Sequence, residues 1–318
     1  MPSEIELKLI VPVDLQQAFA QLPLLQQYSD SVRQDSLLNC YFDTPDQQLN
    51  RHRVALRIRR IGERFIQTLK TRGSSQAGLH QRQEWEWDVA GEQLELDKLP
   101  AEALPQDIPL QQLGAAFNTD FQRTSWQLSY PYQGQTTKIE LVLDQGQVIA
   151  AGRHDPISEI ELELKQGETG ALFELAEQLA DQVPLRVSRI SKAEKGYRLH
   201  SPDRARPVPP LPESSTVDGD PLVVGQLIER LQALLELFEF NADAQLLPQA
   251  QQCLQGLHRQ LAEPQPPLGQ LLLEQGKRLH SLLEVPYDWD NCQQWLHSRD
   301  LGVCLLRLSR WLFEQSQA

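Results

Sequence analysis

Apolar and charged residues alternate along many segments of the first 200 residues. An alternation with a period of two predicts β-strands that are apolar on one face only. The segments are residues 4–9, 37–42, 54–61, 64–71, 81–89, 121–132, 136–144, 147–153 and 157–165. Gly134 and Gly146 predict hairpin turns between neighbouring segments. We therefore expect about nine strands, paired in antiparallel fashion.

Helical spacing of apolar residues predicts the remaining elements. Within the first 200 residues we expect helices at 14–27, near 91–104 and at 168–182. Residues 201–221 are rich in proline and predict a semi-rigid linker. After this linker, apolar residues at helical spacing predict a small bundle of about four helices. These helices are expected at residues 222–240, 249–261, 268–283 and 292–315. The predicted organisation is a strand-rich domain at 1–200, the linker at 201–221 and a helical domain at 222–318.

Like charges repeat two residues apart on the predicted strands. The repeats are Glu4 and Glu6, Arg57 and Arg59, Glu84 and Glu86, and Glu159, Glu161 and Glu163. On a single strand such a repeat indicates the solvated face of a one-sided sheet. The opposite faces, however, are strongly apolar on strand after strand and need cover. A closed barrel accounts for both faces, because its apolar side chains point outward under helices and its charged side chains point into the lumen. We expect an α+β fold: a closed antiparallel β-barrel of eight to nine strands, or tunnel, with flanking helices, followed by a small all-α bundle.

The charged lumen indicates the chemistry of its occupant. Carboxylate oxygens are the ligands preferred by Mg²⁺ and Mn²⁺. Arginine binds phosphate through two parallel hydrogen bonds, and lysine binds it as a point charge. A lumen that holds both sets of charges predicts a metal-bound polyphosphate.

Composition narrows the functional classes further. The chain carries 30 Lys and Arg against 43 Asp and Glu, a net charge of −13, which argues against a general nucleic-acid binder. The first residues lack the basic and apolar regions of a signal peptide, and no apolar run approaches the length of a membrane span. We therefore expect a soluble, cytoplasmic protein without membrane contacts. The four cysteines lack metal-type spacing and are expected to be free thiols.

Charged residues and short charged motifs follow one another in a specific order along residues 1–200. They are Glu4-x-Glu6-x-Lys8, Arg57-x-Arg59, Lys70, the pair Glu84 and Glu86, Arg123, Asp144 with Glu140 on the same face, Glu159-x-Glu161-x-Glu163, and Lys192. This ordered set resembles the CYTH superfamily, the triphosphate tunnel metalloenzymes. It especially resembles the bacterial inorganic triphosphatases that carry a C-terminal helical CHAD domain.

The resemblance implies roles for these residues. The implied phosphate-binding residues are Arg57, Arg59, Lys70, Arg123 and Lys192. The implied metal ligands are Glu4, Glu6, Asp144, Glu159, Glu161 and Glu163, with Glu84, Glu86 and Glu140 as further candidates. Catalysis is implied to depend on Glu4, Glu6, Lys8, Lys70 and Arg123, where Lys8 either orients the first acidic pair or contacts phosphate directly. The implied reaction is hydrolysis of inorganic triphosphate to pyrophosphate and phosphate with Mg²⁺ or Mn²⁺.

Other functions remain open at this stage. Similar charged lumens hydrolyse thiamine triphosphate or nucleoside triphosphates, or cyclise ATP as class IV-type adenylate cyclases. A non-enzymatic polyphosphate-binding module is a further alternative, which the complete set of carboxylates disfavours. The helical part resembles a shortened CHAD domain. From residue 201 onward it has 9 Lys and Arg against 15 Asp and Glu, so we expect it to pack or dock rather than to bind polyphosphate.

Overall fold

Eight strands close into an antiparallel barrel in the computed structural model. The structure describes residues 3–71, 73–76, 78–104, 108–202, 207–213 and 217–317. The strands are β1 (Ser3–Ile10), β2 (Ser29–Asp43), β3 (Ala55–Ile61), β4 (Arg64–Lys70), β5 (Ser74–Gln76), β6 (Leu79–Val89), β7 (Gly114–Tyr132), β8 (Gln135–Ala150), β9 (Arg153–Gln166) and β10 (Arg186–Val187). They pair in the order β1-β9-β8-β7-β2-β3-β4-β6, and β6 pairs again with β1. The predicted closed antiparallel barrel is confirmed.

Two short strands extend this ring. β5 pairs with β6, and β10 continues the edge of β1 beyond the point where β6 leaves it. β10 matters for the lumen because it leads directly into the helix that closes one end of the barrel.

Ten helices are described along the chain. They are α1 (Gln16–Ala20), α2 (Pro23–Tyr28), α3 (Gln48–Arg51), α4 (Gly170–Ala180), α5 (Lys192–His200), α6 (Pro221–Asn241), α7 (Leu247–Leu261), α8 (Pro266–Leu283), α9 (Trp289–Leu296) and α10 (Arg299–Gln317). No helix in the described part of the chain is both long enough and apolar enough to cross a bilayer.

Several predicted element boundaries are wrong. The segments 136–144 and 147–153 form one strand, β8, and the turn that follows lies at Ala151 and Gly152, both with positive φ. Gly146 is therefore not a turn residue. A Cβ at this position would lie 2.1 Å from the Asp120 carbonyl oxygen, so glycine permits close approach of two strands. Gly134, with φ +78°, does lie in the turn between β7 and β8.

The predicted helices also differ in detail. The helix expected at 14–27 is divided into α1 and α2, with Pro23 at the start of the second, where proline is well tolerated. The segment near 91–104 forms only short 3-10 turns. The helix expected at 292–315 is two helices, because the Ser298 hydroxyl accepts a hydrogen bond from the Leu301 N–H and caps the start of α10. The bundle therefore has five helices, and α5 is an additional helix that the sequence pattern did not predict.

The apolar outer face of the barrel is buried, as predicted. Leu7 and Leu9 of β1 and Leu162 of β9 are completely buried in one apolar cluster that also contains residues of α4 and of α6 to α10. A second apolar cluster lies on the strands β3, β4 and β6. It contains the buried Leu56 and Leu69, against which the half-buried Trp85 and Trp87 pack. The helical part of the chain thus packs directly against the barrel. The predicted domain boundary at 201–221 stays a prediction, and residues 203–206 and 214–216 of that segment lie outside the described residues.

Helix α5 closes one end of the lumen. Tyr197 and Leu199 of this helix join Phe117, Phe121 and Ile157 of the barrel in an apolar cluster. Gly196 permits this fit, because a Cβ there would lie only 2.0 Å from the Phe117 ring. The Tyr197 hydroxyl donates a hydrogen bond of 2.7 Å to Asp43 Oδ2. One end of the tunnel is therefore a small apolar core, and the charged residues lie between it and the other end.

Gly302 provides a test of how α10 meets the barrel. A Cβ at Gly302 would lie 1.9 Å from the Leu185 carbonyl oxygen, just before β10. We expect Gly302→Ala to destabilise the protein by about 2–3 kcal/mol, because a backbone atom cannot be displaced cheaply. Gly276→Ala in α8 is the matched control, since a Cβ at Gly276 would meet no atom within 4 Å, and we expect it to stabilise by up to about 1 kcal/mol. Urea denaturation measures both, and equal midpoints for Gly302→Ala and the wild type would contradict the described packing.

Candidate active site

The charged residues of the barrel strands face a single cavity. Successive side chains of a strand point to opposite faces, so the charged set of each strand shares the inner face. The cavity measures about 1200 Å³. It is lined by thirteen of the residues predicted from sequence: Glu4, Glu6, Lys8, Arg57, Arg59, Lys70, Glu84, Glu86, Arg123, Glu140, Glu161, Glu163 and Lys192. Two predicted residues, Asp144 and Glu159, do not line it and are almost completely buried, with 0% and 1% of their surfaces exposed.

A row of carboxylates crosses three neighbouring strands. Glu6 of β1 lies directly opposite Glu163 of β9, and Glu163 lies directly opposite Glu140 of β8. Like charges in such positions repel one another. Lys165 offsets part of this repulsion, with its Nζ 2.7 Å from Glu163 Oε1 and 3.0 Å from Glu140 Oε2. Burial, together with the charges of Glu4 and Glu140, nevertheless raises the pKa of Glu163. This part of the lumen therefore carries a surplus of negative charge.

Lys192 connects three other carboxylates near the closed end. It is the first residue of α5, and its Nζ lies 2.7 Å from Asp144 Oδ2, 2.8 Å from Glu159 Oε2 and 3.0 Å from Glu161 Oε1. Burial alone would lower the pKa of this lysine, but the three carboxylates outweigh it and raise the pKa above its ordinary value. Lys192 is therefore charged at neutral pH and fixed at one place in the lumen.

Arg123 and Lys8 complete this ion-pair network. Arg123 donates two hydrogen bonds to Asp144, of 2.7 and 2.6 Å, and a third of 3.1 Å to Glu161 Oε2. Lys8 Nζ lies 2.5 Å from Glu161 Oε1 and 3.7 Å from Glu6 Oε1. Burial would raise the pKa of Glu161, but the charges of Lys192, Lys8 and Arg123 hold it well below its usual range. Charges of opposite sign are closely matched in this part of the lumen.

The opposite wall carries a surplus of positive charge. Arg57 and Arg59 of β3 both face the cavity. Burial and the neighbouring charges of Arg57 and Arg123 lower the pKa of Arg59 to about 9. Its Nε donates a hydrogen bond of 2.8 Å to the amide oxygen of Asn39, which is a neutral partner. A half-buried cation whose neighbours are also cations favours the binding of an anion.

Lys70 and Arg57 share an acidic neighbour on β6. Lys70 Nζ lies 2.7 Å from Glu84 Oε2 and 3.3 Å from Glu4 Oε2. Arg57 Nη2 lies 3.8 Å from Glu84 Oε1. Burial alone would raise the pKa of Glu84, but the charges of Lys70 and Arg57 outweigh it, so the net shift is downward. Glu84 thus holds two cations at the border between the acidic and basic walls.

Several residues that line the cavity were not among the predicted site residues, and three of them carry a hydroxyl or a positive charge. Tyr41 lines the cavity, and its hydroxyl accepts a hydrogen bond of 3.5 Å from Arg57 Nη1. Lys165 also lines it, and its position two residues after Glu163 on the same strand is the signal that places it there. Arg189 lines the cavity from the segment before α5. Arg189 lies between β10 and α5, so no strand alternation predicts where its side chain points.

The carboxylates are suited in chemistry to a divalent cation. Glu4, Glu6, Glu161 and Glu163 provide hard oxygen donors, which fit Mg²⁺ or Mn²⁺. Within the described ranges, no three His, Cys, Asp or Glu side chains are already gathered to hold an ion. Lys8, Lys165 and Lys192 instead bridge neighbouring carboxylates. Glu6 and Glu163 of the acidic row, together with Glu4, whose charge acts on Glu163, form the part of the lumen whose donor set fits a metal best.

Several solved structures are similar to this chain, including one from Hippeastrum and one from Bacillus halodurans. A putative adenylyl cyclase from Hippeastrum, described as having a dominant triphosphatase activity, is 20% identical, with 60% of this chain and 93% of that chain covered and a TM-score of 0.44. A putative adenylate cyclase from Bacillus halodurans is 25% identical, with 58% of this chain and 95% of that chain covered and a TM-score of 0.36.

Comparison of sequences gives a family. An inorganic triphosphatase from Haemophilus influenzae is 36% identical over 206 residues, which cover 63% of this chain and 56% of the relative. The chain thus matches little more than half the length of this curated relative. Residues 2–197 match the family model described as the CYTH domain. That range includes the barrel strands and the thirteen predicted residues that line the cavity, and the chain therefore belongs to the CYTH domain family.

Proposed function

We propose that this protein hydrolyses inorganic triphosphate to pyrophosphate and phosphate inside the barrel, with Mg²⁺ or Mn²⁺. The observation that carries the proposal is that six cations from five elements face one cavity together with a row of carboxylates. These cations are Lys8, Arg57, Arg59, Lys70, Arg123 and Lys192. The name of the Haemophilus influenzae relative supports the same activity, over the part of that protein which this chain matches.

The two walls have different roles in this proposal. Arg57, Arg59 and Lys70 bind phosphate oxygens, since their wall carries a surplus of positive charge. Lys192 and Arg123 add positive charge from the closed end. Transfer of a phosphoryl group depends mainly on positioning and on stabilisation of charge, so the chain needs no covalent nucleophile.

The divalent ion would be held by Glu4, Glu6 and Glu163, with Glu161 as a further donor. A bound ion of this kind neutralises charge on phosphate oxygens and polarises the phosphorus centre. Asp144 and Glu159 lie beneath the cavity lining and instead keep Lys192 and Arg123 in place. Their proposed role is therefore positioning of cations.

We further propose that the helical part is a shortened CHAD-like domain that packs rather than binds polyphosphate. Its contacts with the barrel in one apolar cluster support the packing role.

A phosphate-release assay with tripolyphosphate tests the proposal. We expect turnover with Mg²⁺ or Mn²⁺, loss of turnover with a chelator, and a fall in kcat/KM of about 10- to 100-fold in Glu6→Gln, because one donor to the ion loses its charge. ATP, thiamine triphosphate and long-chain polyphosphate serve as competing substrates in the same assay.

Glu168→Gln is the matched control, since Glu168 is exposed and lies outside the cavity lining. It should retain full activity. A wild-type protein that releases no phosphate from tripolyphosphate with either metal, or a Glu6→Gln variant with unchanged kcat/KM, would contradict the proposal.

A further inference from the structure

Helix α6 contributes to the wall of the tunnel, although it lies outside the matched family region. Glu229, Ala233 and Glu236 of this helix line the same cavity as the charged residues of the barrel. Their spacing of four and three residues places them on one face of α6. This face is turned toward the segment that joins β10 to α5.

Three glutamates of α6 hold that segment and the strand β10 that precedes it. The Arg189 N–H donates a hydrogen bond of 2.8 Å to Glu236 Oε1. The Arg189 side chain donates to the Glu229 carbonyl oxygen at 2.9 Å and to Glu229 Oε1 at 3.1 Å. Arg186 donates to Glu239 Oε2. Both the backbone and the side chains of the segment are therefore bonded to α6.

The same segment leads directly to Lys192. Ser188 is fixed on the barrel side, where its N–H donates to the Lys8 carbonyl oxygen at 2.9 Å. Ser191 caps α5, accepting a hydrogen bond of 3.2 Å from the Glu194 N–H. Only two residues, Ile190 and Ser191, lie between Arg189 and Lys192, so their backbones are at most roughly 10 Å apart. A shift at Arg189 is therefore transmitted to the first turn of α5.

Glu236 is an unusual residue for a purely structural contact. It is only 5% exposed, and burial raises its pKa despite the nearby charges of Arg189 and Arg198. A buried carboxylate costs free energy unless its hydrogen bonds compensate. An apolar residue at this position would pack without that cost but would leave the Arg189 N–H without its acceptor.

We propose that Glu236 is a positioning residue: by accepting the Arg189 N–H, α6 fixes residues 189–191 and thereby holds the Lys192 ammonium at its place in the lumen. This inference rests on the proposed triphosphatase function. It makes the helical part of the chain a component of the active site.

The test compares Glu236→Leu, which removes the acceptor, with Glu236→Gln, which keeps an amide oxygen at the same position. We expect Glu236→Leu to lower kcat/KM for tripolyphosphate about 10- to 100-fold, because misplacement of a binding group by about 1 Å has effects of this size. Glu236→Gln should stay within about threefold of the wild type, since a neutral acceptor still bonds the N–H. Metal-free binding of tripolyphosphate should weaken in the Leu variant only.

Glu177→Leu is the matched control. Glu177 of α4 lies 3.4 Å from Arg310 of α10, so its replacement removes another ion pair between the barrel side and the helical part, away from Lys192. Equal losses of kcat/KM in Glu177→Leu and Glu236→Leu, or an unchanged kcat/KM in Glu236→Leu, would overturn the positioning role.

Hydrogen exchange separates failure of this inference from failure of the proposed function. Glu236→Leu should speed exchange of amides in residues 189–200, whereas Glu177→Leu should not. If the wild type shows no triphosphate turnover, the proposed function fails, but faster exchange in residues 189–200 still supports the coupling of α6 to α5. Unchanged exchange in Glu236→Leu overturns it.

Discussion

Replacing Lys192 by methionine is expected to abolish most activity and to destabilise the protein. Lys192 Nζ lies within 3.0 Å of three carboxylates, those of Asp144, Glu159 and Glu161. Methionine removes the shared cation. Arg123 still holds Asp144 and Lys8 still holds Glu161. The buried Glu159, however, loses its hydrogen bond to Lys192. Removal of one partner from a buried ion pair costs about 3–5 kcal/mol. The same change removes positive charge next to the proposed triphosphate, so we expect kcat/KM to fall by about 10³-fold or more.

A double variant separates the two effects of Lys192→Met. Glu159 is only 1% exposed, and its Oε2 bonds Lys192. Adding Glu159→Gln removes the carboxylate that has lost this hydrogen bond, so the double variant should regain part of the lost stability but none of the lost activity. Chemical denaturation and the phosphate-release assay measure the two quantities. A Lys192→Met variant that is as stable as the wild type would contradict the described ion-pair network.

The barrel was predictable because its signal is local in the sequence. On strands such as β1, charges two residues apart mark one face and Leu7 and Leu9 mark the other, and both faces can be identified without knowing any neighbour. Closure followed from the need to cover so many apolar faces. The structure then brings Glu6 opposite Glu163, which are far apart in the sequence.

The depth at which each inward-facing carboxylate lies in the barrel was not predictable in the same way. Asp144 and Glu159 share the inner face with Glu140 and Glu161, as the alternation predicts. Their burial beneath the cavity lining depends on strand register and on where α5 enters the barrel. Neither property is encoded in the alternation itself, so sequence alone could not separate carboxylates that face the cavity from those that hold cations.

Elements stabilised by distant contacts were also missed. Helix α5 has few apolar residues, and its Tyr197 and Leu199 are buried by barrel residues that come from several strands. Gly146 resembles a turn residue in sequence, whereas its actual role is to allow close approach to Asp120. The place of α6 beside the cavity depends on the packing of the whole helical part, which no local pattern describes.

Arg59 differs from Lys192 because the folded structure does not compensate its charge. The pKa of Arg59 is lowered to about 9 by burial and by Arg57 and Arg123. A lowered pKa in a basic group means that folding disfavours its protonated form. At neutral pH Arg59 is protonated in both the folded and the unfolded chain, so this destabilisation is fully present there and is relieved only as pH rises through the folded pKa. The wild type therefore maintains a destabilising charge at the wall where we propose that phosphate binds.

We expect Arg59→Gln to make the protein more stable while lowering kcat/KM for tripolyphosphate about 10³-fold. Glutamine can still donate to Asn39, and loss of the uncompensated charge should raise stability by about 1–2 kcal/mol. Metal-free tripolyphosphate should raise the melting temperature of the wild type but have little effect on the variant, because the ligand stabilises only a folded state that binds it. The neighbouring Arg60, which is exposed and donates to the Gly62 carbonyl oxygen, provides the control Arg60→Gln, which should behave like the wild type in all three measurements. A lower melting temperature in Arg59→Gln, or retained activity, would show that this guanidinium is a structural group rather than a site for the substrate's charge.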